Sequence, residues 1–365
     1  MKKIFEKDEL TKKERVLRTL RHQEVDRVAL HDQLSYNPGV ISMYTGRQIS
    51  GFNYKLEDIG EAIGKTLDCC FPFNAPYGTG RGTDGYGFVY QNDNWTSWRV
   101  SRPFDDEHGG KDWLCRHIEN IRRQVNDFDA DLFRESHGGR LRYLDSLVGG
   151  TVIMDIICTG FCEAYDRMGL EIFSFFQLEY PDIMSEYMEI STELALRAAN
   201  TGIHAEFTPV VLIAEDFATK QGPIFSVDFL SKFHFPYLKR LAQALHDNGV
   251  YVIYHSDGNY KKVIPNLIEC GVDGFYCLEP NCGMDIVELK NAYPEMVWAG
   301  GVDGVDLMER GTPEQTREEV RRHIAGTGAL RTGGMMVASS SEINPTVKPE
   351  NFRAMIEAAD IYRNI

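Results

Sequence analysis

The strongest constraint on this chain is a repeated pattern. Short apolar runs recur along it, and from Thr151 onward each is followed by an amphipathic helical stretch. The runs are Thr151–Ile157, Thr208–Ala214, Val250–Tyr254, Val272–Leu278, Val297–Ala299 and Met335–Ala338. Each is mostly apolar without strict alternation, as a parallel strand covered on both faces should be. Helical patterns fill the gaps at Asp182–Asn200, Val227–Asp247, Tyr260–Glu269, Asp285–Ala292, Thr312–Ile324 and Pro349–Tyr362. Such alternation builds right-handed βαβ units around a parallel sheet. With one earlier strand at Arg27–Gln33, seven runs are readable, a count that suits an α/β fold, the eight-stranded (β/α)8 TIM barrel, better than an open sheet.

Two features decorate that barrel. An N-terminal extension contains a helix over Thr11–Arg21, where Thr11 and Glu14 form a capping box and Val16, Leu17 and Leu20 form the apolar stripe. A Gly- and aromatic-rich segment at about 71–113 breaks the pattern and reads as a β-hairpin or meander near the barrel mouth. Its Tyr86 and Trp95 are candidates to cover the site and bind substrate. No linker, repeat or low-complexity tract divides residues 1–365, so a single barrel domain is expected.

Charge narrows the function. The 39 basic and 54 acidic residues sum to −15, which argues against nucleic acid and anionic membranes as partners. No apolar run approaches the roughly 18 residues of a membrane span, and the stretch Met1–Lys7 has no apolar core of a secretory leader. Eight cysteines are too few for a disulfide scaffold, and a reducing cytoplasm is the expected location.

In a (β/α) barrel, chemistry sits where strands end on the C-terminal face. Those positions here are rich in acid: Asp32, Asp155, Glu215, Asp216, Asp257, Glu279 and Asp303. Clustered carboxylates repel unless a cation, a proton or hydrogen-bond donors compensate. The sharpest motif is Tyr254-His-Ser-Asp-Gly-Asn259. Residues two apart on a strand share a side, so His255 and Asp257 face one volume. They form either a pair of metal ligands or a base with its orienting acid. Cys158, Cys162, Cys277 and Cys282 lie at loose spacing and read as packing residues.

Five segments together are familiar: RVLRTLRHQEVDRVAL at 15–30, EDFATKQGPIFS at 215–226, YHSDGN at 254–259, AGGVD at 299–303 and NPTVKPENFRAMIEAA at 344–359. They resemble the uroporphyrinogen decarboxylase superfamily, and most closely its corrinoid-dependent methyltransferase branch. The resemblance implies a (β/α)8 barrel with its site at the mouth. Two departures matter. The decarboxylases carry an Arg-containing motif after the first strand, whereas His31–Pro38 has no Arg. A mouth lined by acids is also wrong for a polyanionic porphyrinogen. Thiol-methylating members carry His-x-Cys after the fifth strand and a Cys near the last; here stand His255-x-Asp257 and Ser339–Ser341.

The resemblance therefore implies a methyltransferase that demethylates a small donor, such as a methyl ether, aromatic included. The acceptor would be cob(I)alamin on a partner corrinoid protein, since the chain shows no corrinoid domain of its own. A harder zinc site would draw on His255, Asp257 and Asp216, and acid assistance on Glu279, Glu215 or Asp32, with Asn259 contacting substrate. A homodimer is open. The competing expectation is a cofactor-free decarboxylase or other lyase on a small acid, using Arg81, Arg99 or Arg102 to hold the carboxylate. A partner-binding barrel without chemistry is the third.

Overall fold

The computed structural model describes residues 5–365; residues 1–4, the start of the stretch read above as lacking a leader's apolar core, lie outside the described residues. Eight parallel strands close a barrel. They are β1 (Ala29–Asp32), β2 (Cys69–Cys70), β3 (Val152–Ile153 and Asp155–Ile157), β4 (Val210–Ala214), β5 (Tyr251–His255), β6 (Gly274–Tyr276), β7 (Val297–Val302) and β8 (Met335–Ser339). The two halves of β3 pair with β2 on one side and β4 on the other, which closes the ring. β1 pairs with both β2 and β8.

Period-two alternation sorts side chains into two cores. Inside the barrel lie Ala29, Cys69, Val152, Met154, Leu212, Ile253, Tyr276, Val297, Ala299 and Met336. Outward neighbours such as Leu30, Ile153, Ile213, Tyr254, Phe275 and Trp298 pack under the helices. This two-sided burial is why the strand runs are apolar throughout.

The predicted N-terminal helix forms over Lys12–Leu20, with Thr11 as N-cap and Glu14 completing the capping box. Its Arg15 joins Arg27 around the buried Asp68 at the N-terminal end of the barrel, at 2.8 and 2.6 Å. Asp68 also accepts the Leu30 amide at 2.9 Å, so one carboxylate ties helix, β1 and β2 together.

Some elements differ from expectation. The helix predicted over Val227–Asp247 is two helices, Val227–Phe233 and Phe235–Asp247, because Pro236 opens the second and cannot continue the first. The insert narrows to an antiparallel three-stranded sheet, Gly80–Thr83, Val89–Asp93 and Thr96–Ser101; helix resumes at Glu107. Among the described residues, no helix is long and apolar enough to cross a membrane.

Candidate active site at the barrel mouth

The ends of β4, β5 and β6 bring the predicted acids together. β5 delivers His255, and the turn beyond it delivers Asp257. That turn needs glycine at 258: its φ is +77°, and a Cβ there would meet the Thr219 carbonyl oxygen at 2.7 Å. His255 Nε2 lies 3.3 Å from Asp216 Oδ1 and 3.8 Å from Asp257 Oδ1. Asp216 also accepts the Asp257 amide at 2.9 Å. Glu279, beyond β6, accepts the Gly258 amide at 2.7 Å and the Cys282 thiol at 3.3 Å.

Ligand atoms of Asp216, His255 and Asp257 lie within 4.8 Å of one another, as do those of Asp257, Cys277 and Glu279. The two groups share Asp257. Cys277 is a donor that sequence reasoning assigned to packing; its thiol donates to the Ser340 carbonyl at 2.5 Å. The signal that could have found it is position: β6 stops at Tyr276, so Cys277 is already a strand-end residue.

Electrostatics make the cluster unusual. Among the described residues, Asp216 and Asp257 form ion pairs only with His255. Partial desolvation pushes the Asp257 carboxyl, whose side chain stays more than half exposed, up to about 6; His255 opposes this, and Asp216 and Glu279 add to it. Burial also works against the Asp216 carboxylate and the His255 imidazolium, but their mutual pairing prevails. Asp216 is lowered and His255 is raised.

Glu215 and Asp216 are adjacent but point apart. Glu215 is fully buried and turned away from the cluster. Its carboxylate accepts the amides of Thr159, Gly160 and Cys162 at 2.7, 3.1 and 2.9 Å, and the Thr159 hydroxyl at 2.6 Å. These four donors pin the loop after β3. Burial raises the Glu215 pKa and the donors offset part of that rise.

Asp32 is buried between β1 and β8, accepting the amides of Ser339 and Gln33 at 3.1 and 2.9 Å. Burial lifts its pKa to about 7. Asn259 lies in the turn itself: its amide donates to the Thr219 carbonyl at 2.8 Å, and its side chain accepts the Lys261 amide at 3.2 Å.

The predicted substrate-binding aromatics sit on the insert. The Tyr86 hydroxyl meets His117 Nδ1 at 3.0 Å and accepts from Asn120 at 3.0 Å, so it fastens the insert to the helix Glu107–Asn126. Trp95 is half-buried in the turn between the last two insert strands. The aromatic surface beside His255 comes instead from strand ends. Tyr276 lies 5.5 Å from the His255 ring, and Phe71 and His31 stack edge-on against Tyr276. Ile156 shares the inward face of β3 with Met154 and is 41% exposed, so the mouth stays open and apolar there.

Fold and site thus define a (β/α)8 barrel with an acidic, histidine-centred mouth. The chain belongs to the uroporphyrinogen decarboxylase family, whose model matches residues 163–362. No curated protein matches the sequence. Among solved structures, a methyltransferase from Methanosarcina mazei aligns over 97% of this chain and 99% of its own, at TM-score 0.67 and 18% identity. A sugar phosphate isomerase/epimerase from Parabacteroides distasonis aligns over 92% of this chain and 97% of its own, at TM-score 0.34 and 9% identity. A type I 3-dehydroquinate dehydratase from Clostridium difficile aligns over 93% and 94%, at TM-score 0.37 and 9% identity. These last two likenesses are too loose to bear on fold or function.

Proposed function

We propose that this protein is a corrinoid-dependent methyltransferase. It moves a methyl group from a small oxygen-bound donor, such as a methyl ether, aromatic included, to cob(I)alamin on a partner corrinoid protein. The observation that carries this reading is the set of acids around His255 with no Lys or Arg paired to them among the described residues. Such a mouth attracts a cation or a proton and repels a carboxylate substrate. Membership of the family and the likeness to a methyltransferase from Methanosarcina mazei agree with it.

The chemistry demands such a mouth. The acceptor attacks the methyl carbon opposite its bond to oxygen, and the bonding pair leaves with the oxygen. An alkoxide or phenoxide leaves poorly, so the oxygen must gain a proton or a Lewis acid. The donor set of one imidazole and two carboxylates fits zinc, and His255, Asp216 and Asp257 are the residues that would hold it. When bound, zinc supplies the Lewis acid for that oxygen. Asp257 offers the proton route at the same place, since it keeps its proton below about pH 6. Tyr276, Phe71 and Ile156 present the apolar surface that receives the methyl-bearing group and thins the water around it.

The three arginines of the lyase reading are engaged elsewhere or exposed. Arg99 is committed to Asp166 and Arg102 to the Met168 carbonyl, both on the helical segment after β3. Arg81 stands on the exposed first strand of the insert. Elemental analysis is the quick test: stoichiometric zinc that disappears in His255→Ala and Asp257→Ala supports the methyltransferase. Metal-free protein that keeps full activity after chelation overturns the zinc version.

A further inference from the structure

Asp155, expected at a strand end, lies within β3 instead and plays no part in the mouth. Alternation along β3 sends Val152 and Met154 inward and turns Asp155 outward, beneath the helices. There it meets two histidines distant in sequence: His137 on the helix Ala130–Leu147 and His204 on the helix Ile203–Phe207. His137 Nε2 lies 2.6 Å from Asp155 Oδ2, and His204 Nδ1 lies 3.1 Å from the same oxygen. One ligand atom from each of the three falls within 4.8 Å of the others.

Simple hydrogen bonding does not satisfy this cluster. The His137 contact has hydrogen-bond geometry; the His204 contact has ion-pair distance but is not aligned as a hydrogen bond. His204 is 2% exposed, and neither of its ring nitrogens has a hydrogen-bond partner among the described residues. Buried polar atoms are seldom left this way, so each such case requires an explanation. A shared cation supplies one, because it takes the ring lone pair that Asp155, an acceptor, cannot use. Ligands about 2.0–2.2 Å from a tetrahedral ion stand roughly 3.3 Å apart, close to the spacing of His204 and Asp155, whereas His137, hydrogen-bonded to Asp155 at 2.6 Å, must draw back to join them. His137 is 26% exposed on its side chain, which leaves a solvent side for a water ligand and for entry.

We propose that His137, Asp155 and His204 form a second divalent-metal site, of the zinc type, on the outer face of β3. Two imidazoles and one carboxylate are borderline donors that suit zinc better than calcium or magnesium. The ion ties β3 to the two helices that carry His137 and His204. Its role is structural, and it stands independently of the chemistry at the mouth.

The test removes the mouth cluster first. Full-length protein carrying His255→Ala and Asp257→Asn is stripped of metal and dialysed against zinc alone. It is expected to retain one equivalent and to unfold at a higher temperature than the stripped protein. Adding His137→Gln, or separately Asp155→Asn, should abolish both effects while circular dichroism shows the fold intact. A second measurement needs no change at the new site. Zinc should protect His137 from acylation by diethyl pyrocarbonate, read by peptide mass. A mouth-cleared protein that binds no zinc, a His137→Gln variant that keeps its equivalent, or equal acylation with and without zinc would each overturn the proposal. None of these results would touch the methyl-transfer reading.

Discussion

At Asp257, three carboxylates and one imidazole compete for a single small volume. A metal there must displace protons, and this fixes the direction of its pH dependence. Asp257 titrates near 6, and His255 titrates above its usual 6.5. Both must be deprotonated to act as ligands. Zinc affinity should therefore be flat at alkaline pH and fall as pH drops through the His255 and then the Asp257 range. Isothermal titration across that range checks it; an affinity independent of pH would contradict the ligand assignment. Glu215 separates structure from chemistry. Glu215→Gln replaces an acceptor of four hydrogen bonds with a group that turns one donor toward other donors. The expected cost is about 1–3 kcal/mol in denaturant unfolding, with metal content at the mouth unchanged. The turn after β5, not the strand's period, brings Asp257 to 3.8 Å from His255. The two were legible in the sequence as a strand-end pair because an apolar run stops there. Cys277 was not, because an apolar run does not reveal where its strand stops. The pairing of Asp155 with His137 and His204 was not legible either, since no local pattern links residues that far apart.

At the scale of elements, the insert is held by a few polar anchors rather than by a large core of its own. Arg167 donates to Asp84 and to the Tyr90 hydroxyl, both at 2.6 Å, while Phe88 packs with Phe104 and Trp113. Arg167→Ala should loosen the sheet between Gly80 and Ser101 locally. Limited proteolysis should cut there much faster, while global stability changes by about 1 kcal/mol, the typical worth of such bonds. Equal cleavage rates would show that apolar packing alone holds the insert. Long apolar strands such as β4 and β5 were readable because each is bounded by polar residues. The two-residue β2, Cys69–Cys70, was not, because two residues carry no period. The helix Glu107–Asn126 was hidden by the aromatic segment that leads into it, and its first two turns were absorbed into the insert.

For the whole molecule, the barrel is clamped at the end opposite the mouth by Asp68 between Arg15 and Arg27. Burial disfavours the Asp68 carboxylate, but the two guanidiniums prevail and its pKa falls below the usual 3.8. A lowered native pKa means that the stabilisation is complete above the unfolded value and is lost as pH falls through the native one. Asp68→Asn removes one shared partner, while Arg15 keeps Asp26 and Asp8 and Arg27 keeps Asp8. It should therefore destabilise neutral protein by about 1.5–3 kcal/mol and narrow its gap to wild type in acid. A gap that stays constant into acid would contradict the pairing. The barrel itself was legible because strand and helix alternate over most of the chain; what lies at its mouth depends on how eight strand ends converge. The central claim is methyl transfer to a corrinoid, and its most direct measurement is optical. The protein is mixed with a corrinoid protein reduced to Co(I) and with methyl ethers, methanol or methylamines, and the methylcob(III)alamin spectrum is followed. The account predicts its growth with an oxygen-bound donor, and a fall of about 10²–10⁴-fold in rate for His255→Ala, the scale of lost acid assistance. No methylcob(III)alamin from any of these donors, or an undiminished rate without His255, would contradict it.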